Sequence, residues 1–269
     1  ASRPSRSGRD ATPPSLESDL YAEAMDISAA PPRAALPLVV VNGDIKFIGQ
    51  ALMMGHYLSS TLTGTEGVVD RLIGGAMGES LRAGNYPAGV GTSLVFANHR
   101  RDPDQPLAMP RPHAAVIVGL GEEGRLTMLQ LAQTVEKGAI AYAQRVAEGD
   151  GAAPLGFELA SVLIGSGGTG VSAGSAAQAI AKGIAAANRL LAAVQWPQVT
   201  RLHLVELYLD RASEAHTALA VLEEARPSEF QLEPAVRSGT GARRRPPVWG
   251  YRGASYDFIS ARQFRGDQG

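Results

Sequence analysis

Cysteine is absent from the 269 residues, which excludes disulfides, thiolate nucleophiles, iron-sulfur clusters and cysteine-ligated zinc. Nothing calls for an oxidising compartment. The five histidines, His56, His99, His113, His203 and His216, form no HxxxH or HExxH pair. No two imidazoles therefore share a helix face, and no metal site is expected. Charged residues make up only 19% and nearly cancel, leaving a net charge of −1, so the chain as a whole is not built to bind a polyanion. No stretch reaches the run of about 18 apolar residues that spans a bilayer. The opening Ala1-Ser2-Arg3-Pro4 has no apolar signal-like run. A cytoplasmic protein that carries no cofactor is the expectation.

What is present is a chain much longer than the roughly 100 residues needed for a self-sufficient core. Residues 1–35, rich in Ser, Pro, Arg and Ala, read as a flexible arm. Leu36 to Val41 is an apolar run ending at the turn signal Asn42-Gly43-Asp44. Helical spacing runs from Thr65 to Ala83 and stops at Gly84-Asn85-Tyr86-Pro87; Thr92 to Ala97 then reads as a strand. His113 to Val118 reads as a buried strand, and Leu126 to Ala147 as a long helix with Thr127 as its N-cap. The alternation repeats: strand Leu159–Ile164, glycine-rich loop 165–174, helix Ser175–Val194, strand Leu202–Leu209, helix Ser213–Ala225. Strands separated by helices of this length imply crossovers and a mostly parallel sheet. The fold class expected is a three-layer α/β domain over residues 36–225, with Val39–Val41, Val116–Val118, Val162–Ile164 and Leu204–Leu207 as central strands. Residues 226–269 form a Pro, Arg and Gly-rich tail. From Arg237 onward it carries 7 basic against 2 acidic residues, with an aromatic island at Trp249, Tyr251, Tyr256, Phe258 and Ile259 expected to dock.

Two glycine-rich turns invite a ligand. Gly119-Leu120-Gly121-Glu122-Glu123-Gly124 matches the GxGxxG pattern between strand and helix, although two glutamates stand where a pyrophosphate would lie. Gly165-Ser166-Gly167-Gly168-Thr169-Gly170 has the small residues that form a nest of N–H donors at a helix start, without the lysine of a P-loop. The competing explanation for both is close packing. Asn42, Gly43 and Asp44 offer side chains to a base or ribose, against the type I′ turn that Asn-Gly favours by itself. Gly170-Val171-Ser172-Ala173-Gly174 matches GxSxG, with Asp210 and His216 downstream, yet Ser172 sits about seven residues past the strand rather than at its elbow. The arginines at 243–245 read as a solvated tail, and nucleic acid is not expected as a partner.

Taken in order, Leu72-Ile73-Gly74-Gly75-Ala76, Gly84 to Gly91 and Val116 to Gly121 resemble the N-terminal domain of leucyl aminopeptidases, a macro-domain-like fold. Gly55-His56-Tyr57, Glu66 to Asp70, Ala187-Asn188-Arg189 and Val205 to Ala212 are similar to the macro-like region of bacterial CHAT (caspase-like) multidomain proteins. The aminopeptidase metals belong to a catalytic domain with no counterpart in these residues, and a caspase-like dyad needs the cysteine this chain lacks. The resemblance therefore implies a non-catalytic sensor or interaction module of a larger, defence-related effector, with a protein partner supplying the chemistry. The alternative it implies is a macro-type binder or hydrolase of an ADP-ribose-like nucleotide. The positions to inspect are then Asn42, Gly43, Asp44, Gly119, Gly121, Gly165, Ser166, Gly167, Gly168, Thr169 and Gly170. A phosphate is expected against the amides of 165–170 at the N-terminus of the following helix.

Overall fold

The computed structural model describes residues 34–62, 64–100, 107–149, 155–167 and 170–244. The expected arm, but for its last two residues, and the aromatic island of the tail lie outside them. Eight strands alternate with five helices: β1 (Leu36–Asn42), β2 (Ala51–Tyr57), α1 (Gly64–Leu72), α2 (Ala76–Arg82), β3 (Ser93–Ala97), β4 (Ala114–Gly121), α3 (Met128–Ala147), β5 (Gly156–Val162), α4 (Ala173–Ala193), β6 (Gln198–Glu206), α5 (Leu209–Ala225), β7 (Phe230–Leu232) and β8 (Arg237–Ser238). They build one sheet in the order β3-β4-β2-β5-β6-β1-β7, with β8 also on β1. Every pair is parallel except β3 with β4. The expected mixed α/β class with a mostly parallel sheet is what the chain adopts.

Side chains of a strand point alternately to its two faces, so continuous apolar strands demand cover on both. Along β1, Leu38 and Val40 enter one core with α3, α4 and α5, whereas Val39 and Val41 enter a second with Val69 and Met77 of α1 and α2. The larger core is made thin by small residues. A Cβ at Gly183 of α4 would lie 2.5 Å from the Ala132 carbonyl of α3, and one at Gly138 of α3 would lie 2.5 Å from Val118 of β4. These glycines let the helices approach each other and the sheet.

Several elements differ from expectation. The helix read over 65–83 is two helices, because Gly74 and Gly75 both adopt φ near +90° and the Asp70 carboxylate accepts the N–H groups of Met77 and Gly78 to start α2. Strand β2 was not foreseen: its Met-Met-Gly-His sequence has weak β propensity, yet it lies between β4 and β5. Strand β5 ends at Val162, so Leu163 and Ile164 belong to the loop rather than to a central strand. The sheet also continues past Ala225, where β7 and β8 pair with β1, and Tyr208 bridges Arg243. Thr127 does cap α3, in a capping box with Gln130. Among the described residues no helix is long and apolar enough to cross a membrane.

Candidate ligand-binding site

The C-terminal ends of the parallel strands bring three of the sequence-selected segments to one edge of the sheet, and each is used differently. After β5 the chain turns tightly: Ile164 N–H donates to the Val162 carbonyl at 2.9 Å and Ser166 N–H to the Leu163 carbonyl at 3.1 Å. Gly165 takes a φ of +81° that favours glycine, with the Leu126 side chain 3.1 Å from where its Cβ would be. The buried Ser166 hydroxyl donates to the Leu163 carbonyl at 2.6 Å and accepts from Arg211 at 2.6 Å. Gly167 is exposed, has no neighbour within 4 Å of a Cβ, and does not have the left-handed φ of Gly165 and Gly170. Gly168 and Thr169 lie outside the described residues.

Arg211, in the first turn of α5, is the cation that sequence reasoning missed. Its Nε donates to Glu206 Oε2 at 2.9 Å, its Nη1 to the Ser166 carbonyl at 3.3 Å and its Nη2 to the Ser166 hydroxyl. Glu206 closes β6, and its other oxygen accepts the Tyr208 N–H at 3.1 Å. A carboxylate ending a strand with an arginine five residues on, in the next helix, is the signal that was available. The 45-residue separation from Ser166 hid its target.

Asn42, Gly43 and Asp44 each make contacts within the fold. The Asn42 amide donates to the Glu206 and Leu207 carbonyls at 3.1 and 2.8 Å, tying β1 to β6. Gly43 lies against Gly239, 3.2 Å from its would-be Cβ. Its φ is not positive, so the expected type I′ turn does not form. Asp44 instead accepts the Lys46 N–H and starts a short 3-10 turn over Ile45–Phe47. Gly119 and Gly121 also pack against neighbouring backbone. A Cβ at Gly119 would lie 2.3 Å from the Gly89 carbonyl, and Gly121 N–H donates to Ala88. Glu122 pairs with Arg125 on the surface, while burial, then the Glu123 charge, pushes the Tyr57 phenol above its ordinary range. Tyr57 donates to the Gly165 carbonyl at 3.3 Å, linking this turn to the other.

Two N–H groups in the first turn of α4 are taken by protein acceptors. Ser172 is the N-cap and accepts the Ser175 N–H at 3.0 Å, and the Glu214 carboxylate accepts the Gly174 N–H at 3.1 Å. The same geometry removes the hydrolase elbow: the Ser172 hydroxyl bonds Ser175, His216 bonds the Glu233 carbonyl, and no relay joins them. On the opposite face of the sheet, buried His56 and Glu66 pair at 2.9 Å and Tyr86 donates to Glu66 at 3.0 Å. Burial, then the Glu66 charge, raises the Tyr86 pKa far above its ordinary value. Its members are spent on one another, joining β2 to α1 and the turn at 84–87. Among the described residues no group of three His, Asp or Glu side chains is placed to hold a metal ion.

No protein-family description matches the sequence, and no curated protein does. Among solved structures the chain is similar to a macrodomain variant of Oceanobacillus iheyensis with ADPR, at 15% identity and a TM-score of 0.48, covering 70% of this chain and 94% of that one. It is similar to the Trypanosoma brucei macrodomain in complex with ADP, at 7% identity and a TM-score of 0.47, covering 78% and 92%. A third likeness is to the macrodomain of Mycobacterium tuberculosis DarG, at 9% identity and a TM-score of 0.42, covering 62% and 97%. At these scores the likeness adds no argument to the architecture described above. Resemblance to leucyl aminopeptidases or CHAT proteins is not shown by these comparisons.

Proposed function

We propose that the chain is a binding module for an anionic, nucleotide-like ligand of the ADP-ribose class, held by the turn after β5 and by Arg211. The observation that carries this reading is Gly167. Gly167 has neither a left-handed φ nor a neighbour that a Cβ would strike and faces open space, as Gly49 also does; unlike Gly49, it directly follows Ser166, whose carbonyl and hydroxyl hold the Arg211 guanidinium. A residue without a side chain at an exposed turn lets a ligand approach the backbone closely. Beside it stands a guanidinium with five N–H donors, three of which bond Glu206 and Ser166. Those bonds fix its orientation, and the remaining donors suit an oxyanion, each charge-assisted bond contributing about 1.5–3 kcal/mol. The reading is one of binding rather than catalysis, because the described residues around the turn assemble no nucleophile with a base. No surface among the described residues favours a sensor role in a caspase-like effector over this.

Two of the macrodomains named above were solved with ADPR and ADP, which makes ADP-ribose the first probe to use. A thermal-shift titration of the full chain should raise the Tm by about 5–10 °C once the ligand exceeds its Kd about a hundredfold. Gly167→Phe should abolish the shift, since its side chain occupies the oxyanion position, and should change the unliganded Tm little, since a Cβ at 167 meets nothing within 4 Å. Absence of any shift with ADP-ribose, AMP or pyrophosphate overturns the reading.

A further inference from the structure

At the opposite edge of the sheet, where β2, β4 and β5 begin, an open cleft of about 510 Å³ is lined by Phe47, Gln50, Arg111, His113, Phe157 and Glu158. Its size is that of small-molecule sites, which are typically a few hundred to about 1,000 Å³. Part of the wall is held by hydrogen bonds and ring packing. His113 Nδ1 donates to the Gly49 carbonyl at 2.8 Å, so Nε2 is the acceptor for the Tyr142 hydroxyl at 2.6 Å, and the ring is held as a plane with no nitrogen to spare. Tyr142 in turn packs edge-on against Phe157, with ring centroids 5.0 Å apart. Phe47 is 49% exposed, a large apolar ring left facing solvent beside this cleft.

The cleft carries one charge of each sign, and they do not pair. Glu158 Oε2 accepts from His203 Nε2 at 3.0 Å and from Gln50 at 3.1 Å. Arg201 stands 3.6 Å from Oε1, and Glu158 keeps 41% of its side chain exposed. These neighbours hold it as a carboxylate. Glu158 pairs with Arg201 and His203, whereas the exposed Arg111 has no ion pair among the described residues. An unpaired guanidinium and an accessible carboxylate on one cleft, between phenyl rings, complement a ligand with a carboxylate, an ammonium and an apolar body.

We infer that this cleft binds a small zwitterion of the α-amino acid class with a large apolar side chain, its carboxylate on Arg111, its ammonium on Glu158 and its side chain against Phe47 and Phe157. The site is separated from the turn after β5 by the length of the strands, so its fate is independent of the reading above. The probe is L-phenylalanine, titrated into the full chain by calorimetry or by chemical-shift perturbation. Saturable binding is expected, at least about tenfold weaker with 2-phenylethylamine, which lacks the carboxylate, and with 3-phenylpropionate, which lacks the ammonium. Arg111→Ala should weaken L-phenylalanine about tenfold and leave 2-phenylethylamine unaffected; Glu158→Gln should likewise weaken L-phenylalanine about tenfold and leave 3-phenylpropionate unaffected. These ligand-side comparisons stand even if a variant folds poorly. No binding of L-phenylalanine up to about 10 mM, or equal binding of all three compounds, overturns the inference.

Discussion

The turns at 119–124 and 165–170 share a composition and a position between strand and helix, yet they meet opposite surroundings. At Gly119 a Cβ would collide with a backbone carbonyl at 2.3 Å and with Thr92 Oγ1 at 2.4 Å, because the segment 88–92 lies across the end of β4. At Gly167 a Cβ would touch nothing within 4 Å. One glycine is a spacer for packing and the other an opening. A small-residue motif therefore says only that something approaches the backbone; whether that is protein or ligand is decided by what the fold lays over it. Cation supply separates the turns too, since the first presents Glu122 and Glu123 and the second is backed by Arg211.

The largest expected effect tests the packed member. Gly119→Ala should cost about 3 kcal/mol in urea unfolding, at the upper end of overpacking penalties, because backbone atoms rather than flexible side-chain ends must move. It also threatens the Gly119 N–H bond to the Thr92 carbonyl and the Gly121 N–H bond to Ala88, both 2.8–2.9 Å. A loss below about 0.5 kcal/mol, the range of an ordinary surface change, would erase the distinction between the two turns.

Arg211→Ala comes next. It strands the Glu206 carboxylate, whose side chain is only 12% exposed, and removes the donor to the Ser166 hydroxyl. A loss of about 2 kcal/mol is expected, together with loss of the ADP-ribose shift. Adding Glu206→Gln to Arg211→Ala should recover part of the stability and none of the binding, since the stranded charge is relieved while the cation stays absent. Recovery of both would mean that Arg211 serves the fold alone.

The sequence carried the architecture better than the site, and particular residues show why. Thr127 with Gln130, the apolar runs of β1 and β4 and the alanine-rich α4 are local patterns whose consequences fall within one or two turns of chain. The break at Gly74-Gly75 was masked because apolar spacing continues through it, and β2 because Ala51–Tyr57 owes its place to neighbours from distant sequence rather than to its own propensity. The fates of the candidate residues are non-local in the same sense. Asn42 is spent on carbonyls more than 160 residues away, Gly43 is covered by Gly239, and the Gly174 N–H in the first turn of α4 is taken by Glu214. None of those partners follows from the motif that contains the residue.

The smallest expected effect on stability is the most informative. Gly167→Ala adds one methyl at an exposed position whose φ lies outside the left-handed region and whose surroundings are open, so no strain and no clash arise. Restricting the unfolded chain then favours the folded state slightly, and stability should stay the same or rise by up to about 0.5 kcal/mol. If the turn exists only for packing or flexibility, nothing else changes. If the backbone at 167 is where an oxyanion rests, the methyl holds it off the amide and lengthens its bonds, and affinity for ADP-ribose should fall about tenfold, some 1.4 kcal/mol. Urea unfolding and calorimetric titration of the same variant separate the two cases. Unchanged stability with unchanged affinity would leave Gly167 without a ligand and make the two turns alike in function as well as in composition.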